Sequence, residues 1–434
     1  MHLVSRTSSV AADMREMKNS GIAWAGVCPS LWITEKFKYH FKRRTVKNPG
    51  EAQVLSLYRE YGVIPKDSRD DNHNVTSEDT SKYLFVRKGD FVINKMKAWQ
   101  GSVAVSEYEG IVSPAYYVYE FVGKTTYRRY IHYLMRNKAL AAEFRRLSGG
   151  IREGQWDLAA ASLENSLIFI PPMQEQQAIA NYLDSKCAEI DALMEDIRAE
   201  ISTLEEYKKS VITEAVTKGL NPDVEMKESG VAWVGKCPEH WEKEKFKYHF
   251  KRRTVKNPGN ASVLSLYREY GVIPKDSRDD NHNVTSEDTS KYLFVRKGDF
   301  VINKMKAWQG SVAVSEYEGI VSPAYYVYEF IGSTLHRKYT HYFMRNKSLA
   351  AEFRRLSGGI REGQWDLAAA SLENSFICIP PLSEQQVIAD YLDTICYEVA
   401  ATIAEKQKQI STLEEYKKSL IYEYVTGKKE VPTL

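Results

Sequence analysis

The side chains best suited to chemistry in this 434-residue chain are cations set beside amides and indoles. Two loops carry them. Asn94-Lys95-Met96-Lys97-Ala98-Trp99-Gln100-Gly101 follows an apolar run and gathers donors, an amide and an indole into one turn. Ser148-Gly149-Gly150-Ile151-Arg152-Glu153-Gly154-Gln155-Trp156 joins Arg152 and Gln155 to glycines, which let a backbone approach a partner closely. Lys and Arg neutralise phosphates, Arg reads guanine edges and Gln reads adenine, so these residue types suit duplex DNA. Further basic clusters lie at Lys42-Arg43-Arg44, Arg128-Arg129, Arg136-Asn137-Lys138 and Arg145-Arg146. One such cluster is ordinary solvated surface. Several in one module, all repeated at a fixed offset, point to a DNA-facing surface.

The offset is 209 residues. Phe37–Phe121 recurs without a gap as Phe246–Phe330, and only Glu51/Asn260 and Gln53/Ser262 differ. Leu140–Ser166 is identical to Leu349–Ser375. The candidate contacts Arg43, Arg44, Lys95, Lys97, Trp99, Gln100, Arg152 and Gln155 therefore have counterparts. These are Arg252, Arg253, Lys304, Lys306, Trp308, Gln309, Arg361 and Gln364. A period this long exceeds any solenoid repeat, so each copy is read as a whole structural unit.

Motifs for self-contained catalysis are missing from the sequence. It has no GxxxxGK[ST] phosphate loop, no GxGxxG, no HExxH and no GxSxG. Asn48-Pro49-Gly50 and Asn221-Pro222-Asp223 fall short of the Asn-Pro-Pro-aromatic tetrapeptide of amino-methyltransferases. His73 and His282 have acidic neighbours, but a solvated polar loop accounts for them better than a metal site. The formal net charge of +3 neither demands nor excludes nucleic acid, so the argument rests on where the cations cluster. Five cysteines, Cys28, Cys187, Cys237, Cys378 and Cys396, form no CxxC pair, which fits a reducing cytoplasm rather than a disulfide framework or zinc site. No apolar run is long enough to span a membrane, and the first residues read as a frayed lead-in without a signal-peptide core.

The elements that must position these loops follow from periodicity. Val54–Tyr58, Tyr83–Val86, Phe91–Asn94, Ser102–Val105, Ala115–Phe121 and Leu167–Ile170 are rich in β-branched and aromatic residues and bounded by turns, which predicts strands. Thr126–Leu147 is predicted to be a helix. From Gln174 to Val216 there is no Gly or Pro. Leu183, Ile190, Ile197, Leu204 and Val211 recur seven apart there, as do Leu392, Val399, Leu413 and Leu420 in the second copy, broken only at Lys406. Each seam predicts a helix of about 43 residues, roughly 65 Å long, whose natural partner is the other copy's helix in a coiled coil. The expected division is a recognition domain over 17–172, a long helix over 173–217 and a linker over 218–225. A second domain over 226–381 and a second helix over 382–426 follow. The fold class is α+β: two mixed α/β domains separated by two long helices, with an internal pseudo-two-fold repeat.

This plan resembles the specificity subunit of type I restriction–modification systems. Val234-Gly235-Lys236-Cys237-Pro238-Glu239-His240-Trp241 is similar to that family's domain-opening motif, although Ser30-Leu31 replaces Glu239-His240 in the first copy. Pro171-Pro172-Met173-Gln174-Glu175-Gln176-Gln177 and Pro380-Pro381 with Glu384-Gln385-Gln386 are similar to the start of its long helices. Asn94 to Gln100 with Gly110 to Tyr116 is similar to a motif inside its target-recognition domains. The resemblance implies a non-catalytic DNA-binding subunit whose antiparallel helices dock modification subunits. Those partners would hold S-adenosylmethionine and methylate adenine, and a restriction subunit using ATP and Mg would join a larger complex. Nearly identical readers add a constraint: the same side chains read the same subsequence, so an inverted-repeat target with a fixed unread spacer is expected. A stand-alone bivalent DNA-binding regulator is the alternative, and a self-sufficient methyltransferase or nuclease is third.

Overall fold

The computed structural model describes residues 15–69, 76–150, 156–268, 270–278, 285–358 and 365–432. Arg152, Gln155, Arg361 and Gln364, with His73 and His282, lie outside the described residues.

Each copy is built on a four-stranded antiparallel sheet. In the first copy the order is Phe41–Arg44, Tyr116–Phe121, Phe91–Asn94 and Val103–Val105. Successive side chains on a strand point to opposite faces, and here both faces are covered. Phe91, Ile93, Val103, Val105 and Tyr119 join a core shared with helices. Val92, Ala104 and Val118 join a second core with the hairpin Leu55–Tyr58/Gly62–Pro65 and the pair Leu84–Val86/Gly110–Val112. That double burial is why Phe91-Val92-Ile93 is apolar without alternation. The second copy repeats this order with Phe250–Arg253, Tyr325–Phe330, Phe300–Asn303 and Val312–Val314.

The helix predicted over Thr126–Leu147 is two helices, Arg128–Arg136 and Lys138–Leu147. Asn137 breaks it. Its backbone is extended, at ψ 149°, and its side chain accepts from the amides of Ala139 and Leu140 as an N-cap. Below the sheet, a short N-terminal hairpin (Met17–Asn19 with Val27–Pro29) and two base strands (Ile33–Lys36 with Leu167–Ile170) lead into the first long helix.

The long helices span Met173–Lys218 and Leu382–Val425. Each is shared between two compact units. One unit holds residues up to Asp196 plus Lys408–Leu434, and the other holds Ile197–Gln407. Within each unit the two helix segments run antiparallel. In the first, Tyr182 packs on Tyr424 at 4.6 Å and Lys417 pairs with Asp191 at 2.6 Å. In the second, Lys406, which breaks the apolar seam, forms an ion pair with Glu200. Leu183, Ile190, Ile197, Leu392, Val399 and Leu420 are buried, while Leu204, Val211 and Leu413 are half-buried.

Side chains of the helix-start motif explain how each domain grips its helix. Gln176 is fully buried and fully used: Oε1 accepts from the Tyr127 amide at 2.7 Å, and Nε2 donates to the carbonyls of Thr125 and Pro171, each at 2.8 Å. Gln385 makes the same three bonds to His336, Thr334 and Pro380. The far end of each helix is captured by the domain of the other repeat. Tyr130 donates its buried hydroxyl to the carbonyl of Val425 at 3.0 Å, and Tyr339 donates to Val216 at 3.2 Å. The last carbonyls of a helix have no partner within the helix, so a tyrosine hydroxyl fills a need that burial would otherwise make costly.

Candidate nucleic-acid interface

The turn after strand Phe91–Asn94 is held by its own side chains. Asn94 accepts from the Met96 amide at 3.1 Å, and the Trp99 indole donates to the Met96 carbonyl at 3.1 Å. Ala98 is buried as an anchor, and Gly101 closes the turn in the left-handed region at φ 85°. The bonds leave Met96 and Lys97 exposed at the tip and Trp99 and Gln100 half-buried beside it. The indole is thus spent on shaping the loop, and its ring edge remains at the surface.

The described ends of the second loop lie against the first. Its stem is a two-residue ladder of Ser148-Gly149 with Asp157-Leu158. The Leu158 amide donates to the Lys95 carbonyl at 3.0 Å, and the Lys95 ammonium sits 3.8 Å from the Asp157 carboxylate. Tyr117 ties the two together by donating to the Leu158 carbonyl at 3.0 Å. Arg145 lies over the Trp156 ring at 5.4 Å, and in the second copy Arg354 lies over Trp365 at 4.7 Å. There Trp308 and Trp365 meet edge to face at 4.9 Å. The geometry therefore joins two loops separated by about fifty residues of sequence into one cationic, aromatic surface. Among the described residues, Lys97 and Arg145 form no ion pair with a carboxylate.

Neighbouring cations divide between this surface and the interior. Arg43 is half-exposed. It lies 5.8 Å over Tyr117 and 3.6 Å from Glu164, which also accepts from the Tyr119 hydroxyl at 3.2 Å. Arg44, the next residue, points to the other face of the strand, into the interior, where it pairs with Asp90. Arg253 does the same with Asp299. These two were expected at the DNA surface and are instead internal ion pairs, because adjacent strand residues face opposite ways. Burial pushes the Asp90 carboxyl up from its usual range, a shift that the bond from the Arg87 amide and the Arg44 charge only partly oppose.

Other basic clusters are also structural. Arg129 pairs with Asp184 of the long helix. Arg136 donates to the carbonyls of Arg59 and Glu60 and to His132 Nε2 at 3.1 Å. A guanidinium only donates, so His132 Nε2 must carry its lone pair and the ring is neutral. Burial, then the Arg136 charge, hold His132 down to about 3, and burial, then the Arg345 charge, hold His341 down to about 4. Arg145 belongs to one of the basic clusters read from the sequence, whereas Tyr117 is not recognisable there as part of the surface. Tyr117 sits in the aromatic run Tyr116-Tyr117-Val118-Tyr119, which reads only as strand, and nothing local reveals that its hydroxyl reaches a loop forty-one residues away.

Among the described residues, no group of acidic, His or Cys side chains is arranged to hold a metal, and no helix is long and apolar enough to cross a membrane. What the site offers is phosphate neutralisation, stacking and amide hydrogen bonding.

The sequence model of a family described as "Type I restriction modification DNA specificity domain" matches residues 45–203 and 242–412. The chain belongs to that family: it is a specificity subunit of the type I restriction–modification class, and such subunits are non-catalytic. One relative is the type I restriction enzyme MjaVIII specificity subunit of Methanocaldococcus jannaschii. It is 24% identical over 387 residues, covering 82% of this chain and 84% of the relative. The putative type I restriction enzyme MjaX specificity subunit of the same organism is 24% identical over 284 residues. That match covers 64% of this chain and 63% of the relative. The fold is similar to the crystal structure of an HsdS subunit from Thermoanaerobacter tengcongensis, at TM-score 0.52 and 16% identity over 93% of this chain and 98% of that one. It is also similar to a chain solved in work on complex assembly and conformational transition of the type I restriction–modification system. There the TM-score is 0.59, at 16% identity over 93% of this chain and 99% of that one.

Proposed function

We propose that this subunit directs an adenine-methylating type I complex to a bipartite, palindromic target on double-stranded DNA. One observation carries the reading: the two loop surfaces have the same residues and nearly the same internal geometry. Lys95 and Lys304 lie 3.8 and 4.0 Å from Asp157 and Asp366, and Tyr117 and Tyr326 each donate at 3.0 Å to the facing loop. Identical side chains on identical scaffolds read the same bases. The antiparallel helix pair that the family resemblance implies suits a half-site repeated on the opposite strand.

Lys97, Arg145 and Arg43, with Lys306, Arg354 and Arg252, are assigned to phosphates. Gln100 and Gln309 are assigned to base edges, adenine first, and Trp99 and Trp308 to shaping and stacking. Arg152, Gln155, Arg361 and Gln364 complete the reading surface in this proposal. Lys95 and Lys304 position the second loop. Linking two readers raises the effective concentration of the second half-site once the first is bound.

The long helices act as a ruler for the unread gap and as the docking site for modification subunits, with restriction subunits joining them. S-adenosylmethionine, ATP and Mg belong on those partners. Deleting one heptad from each helix shortens the pair by about 10 Å, and so should remove about three base pairs from the gap. DNA selection with the assembled complex reads this directly. A gap unchanged by the deletion contradicts the ruler, and copurification of the chain with no methyltransferase subunit favours a stand-alone DNA-binding regulator.

A further inference from the structure

In the second unit, two thiols face one another at the foot of the domain. Cys237 lies on the hairpin strand Lys236–Pro238 and Cys378 on the base strand Phe376–Ile379. Both are buried, and their sulfurs are 2.8 Å apart. The first unit has no such pair. Phe169 takes the place of Cys378 there, and its ring packs on Trp24 at 5.4 Å and Trp32 at 5.7 Å. The exchange is compensated. Leu134 of the first unit is replaced by Phe343, against which Trp233 packs at 5.2 Å. Bulk has moved from the base strand to the neighbouring helix, and the sulfurs touch where the ring would have been.

We propose that Cys237 and Cys378 form a peroxide-oxidisable dithiol site, confined to the second unit, that closes to an intrachain disulfide. A disulfide bond is about 2.05 Å long, so the sulfurs need approach by only about 0.8 Å. The chemistry balances with hydrogen peroxide as oxidant. One thiolate attacks a peroxide oxygen, the O–O bond breaks, and water leaves behind a sulfenic acid. The second sulfur displaces the sulfenic oxygen as water, forming the S–S bond. Two thiols lose two electrons, and one peroxide becomes two waters. Burial, and then the neighbouring Cys237, push the Cys378 thiol up, so reaction runs through local opening. The hairpin Met226–Glu228/Lys236–Pro238 supplies it, being two three-residue strands paired only with each other. The bond would close a loop containing the whole second reading sheet, stapling the domain where it meets its helix.

The test uses the full chain and hydrogen peroxide, with sulfoxide formation at the exposed Met96 and Met305 as an internal dose marker. Non-reducing peptide mapping should yield a Cys237–Cys378 linked peptide, 2 mass units lighter than its two parts and split by dithiothreitol. One unfolding transition should also move to higher temperature on oxidation. The paired substitution C378F/F343L, which installs the first unit's packing, should abolish both effects. If Cys237 and Cys378 remain alkylatable after unfolding at doses that oxidise Met96 and Met305, the proposal is wrong. It is equally wrong if the linked peptide involves Cys28 or Cys187 instead.

Discussion

The two reading heads and the two bases beneath them have taken different courses within one chain. Between the heads, two of 85 positions differ, and the internal ion pairs and turn bonds recur. Between the bases, the same anchoring is reached with different residues. The helix-start carboxylate accepts the Trp32 indole in the first unit and the Trp241 indole in the second. Its remaining contact is Arg15 in the first, at 2.5 Å, and His240 in the second, at 2.7 Å, where Leu31 occupies the first copy's equivalent position. The Phe169/Leu134 and Cys378/Phe343 exchange follows the same logic. The two bases fill the volume and satisfy the carboxylate with different residues. A reading surface is defined by its individual side chains, and these have not been exchanged.

Equivalence of the heads can be broken most severely from inside. Arg44→Ala and Arg253→Ala each leave a buried carboxylate without its partner, and each should cost about 3–5 kcal/mol. Chemical denaturation should find the two costs equal, and a gap of several kcal/mol would end the claim that the heads are the same object. Compensation in the bases predicts a smaller loss. Phe169→Cys alone should cost about 2–4 kcal/mol through the cavity it leaves. Adding Leu134→Phe should recover part of it, with a coupling of about 0.5–3 kcal/mol in a double-mutant cycle.

Acid probes the heads at a milder level. His132 and His341 have folded values near 3 and 4, below the ordinary 6.5, so the fold holds them neutral. Their contribution is fully present above about pH 6.5 and is lost as pH falls toward 3–4. The slope should be about 1.4 kcal/mol per pH unit for each histidine. His132→Gln with His341→Gln should flatten stability between pH 6.5 and 4.5, and an unchanged slope would show that the rings are not the titrating groups. The smallest effect concerns binding alone. Lys97→Ala and Lys306→Ala should each lower the slope of log affinity against log salt by about 0.9, with melting unchanged.

Much of this was legible in the residues. Strands Phe91–Asn94 and Leu167–Ile170 match their predicted limits, and the long helices run to within two residues of theirs, because β-branched runs and a sustained heptad are strong local signals. The short strands Met17–Asn19, Gly62–Pro65 and Gly110–Val112 were missed, since three or four residues carry too little period. The helix break at Asn137 was missed because its flanks keep helical spacing. Proximity of the two loops was also invisible: it depends on Leu158 bonding to Lys95 and on Tyr117 reaching across. Arg44 was misplaced for a related reason, since a run of three cations does not say which of them faces inward.

Two nearly identical heads should read one half-site twice. Methylome sequencing of cells that express this subunit with its modification partner measures it most directly. Modified adenines are expected in one short motif that recurs on the opposite strand across a gap of constant length. Two unrelated modified half-sites, or a single undivided motif, would contradict it.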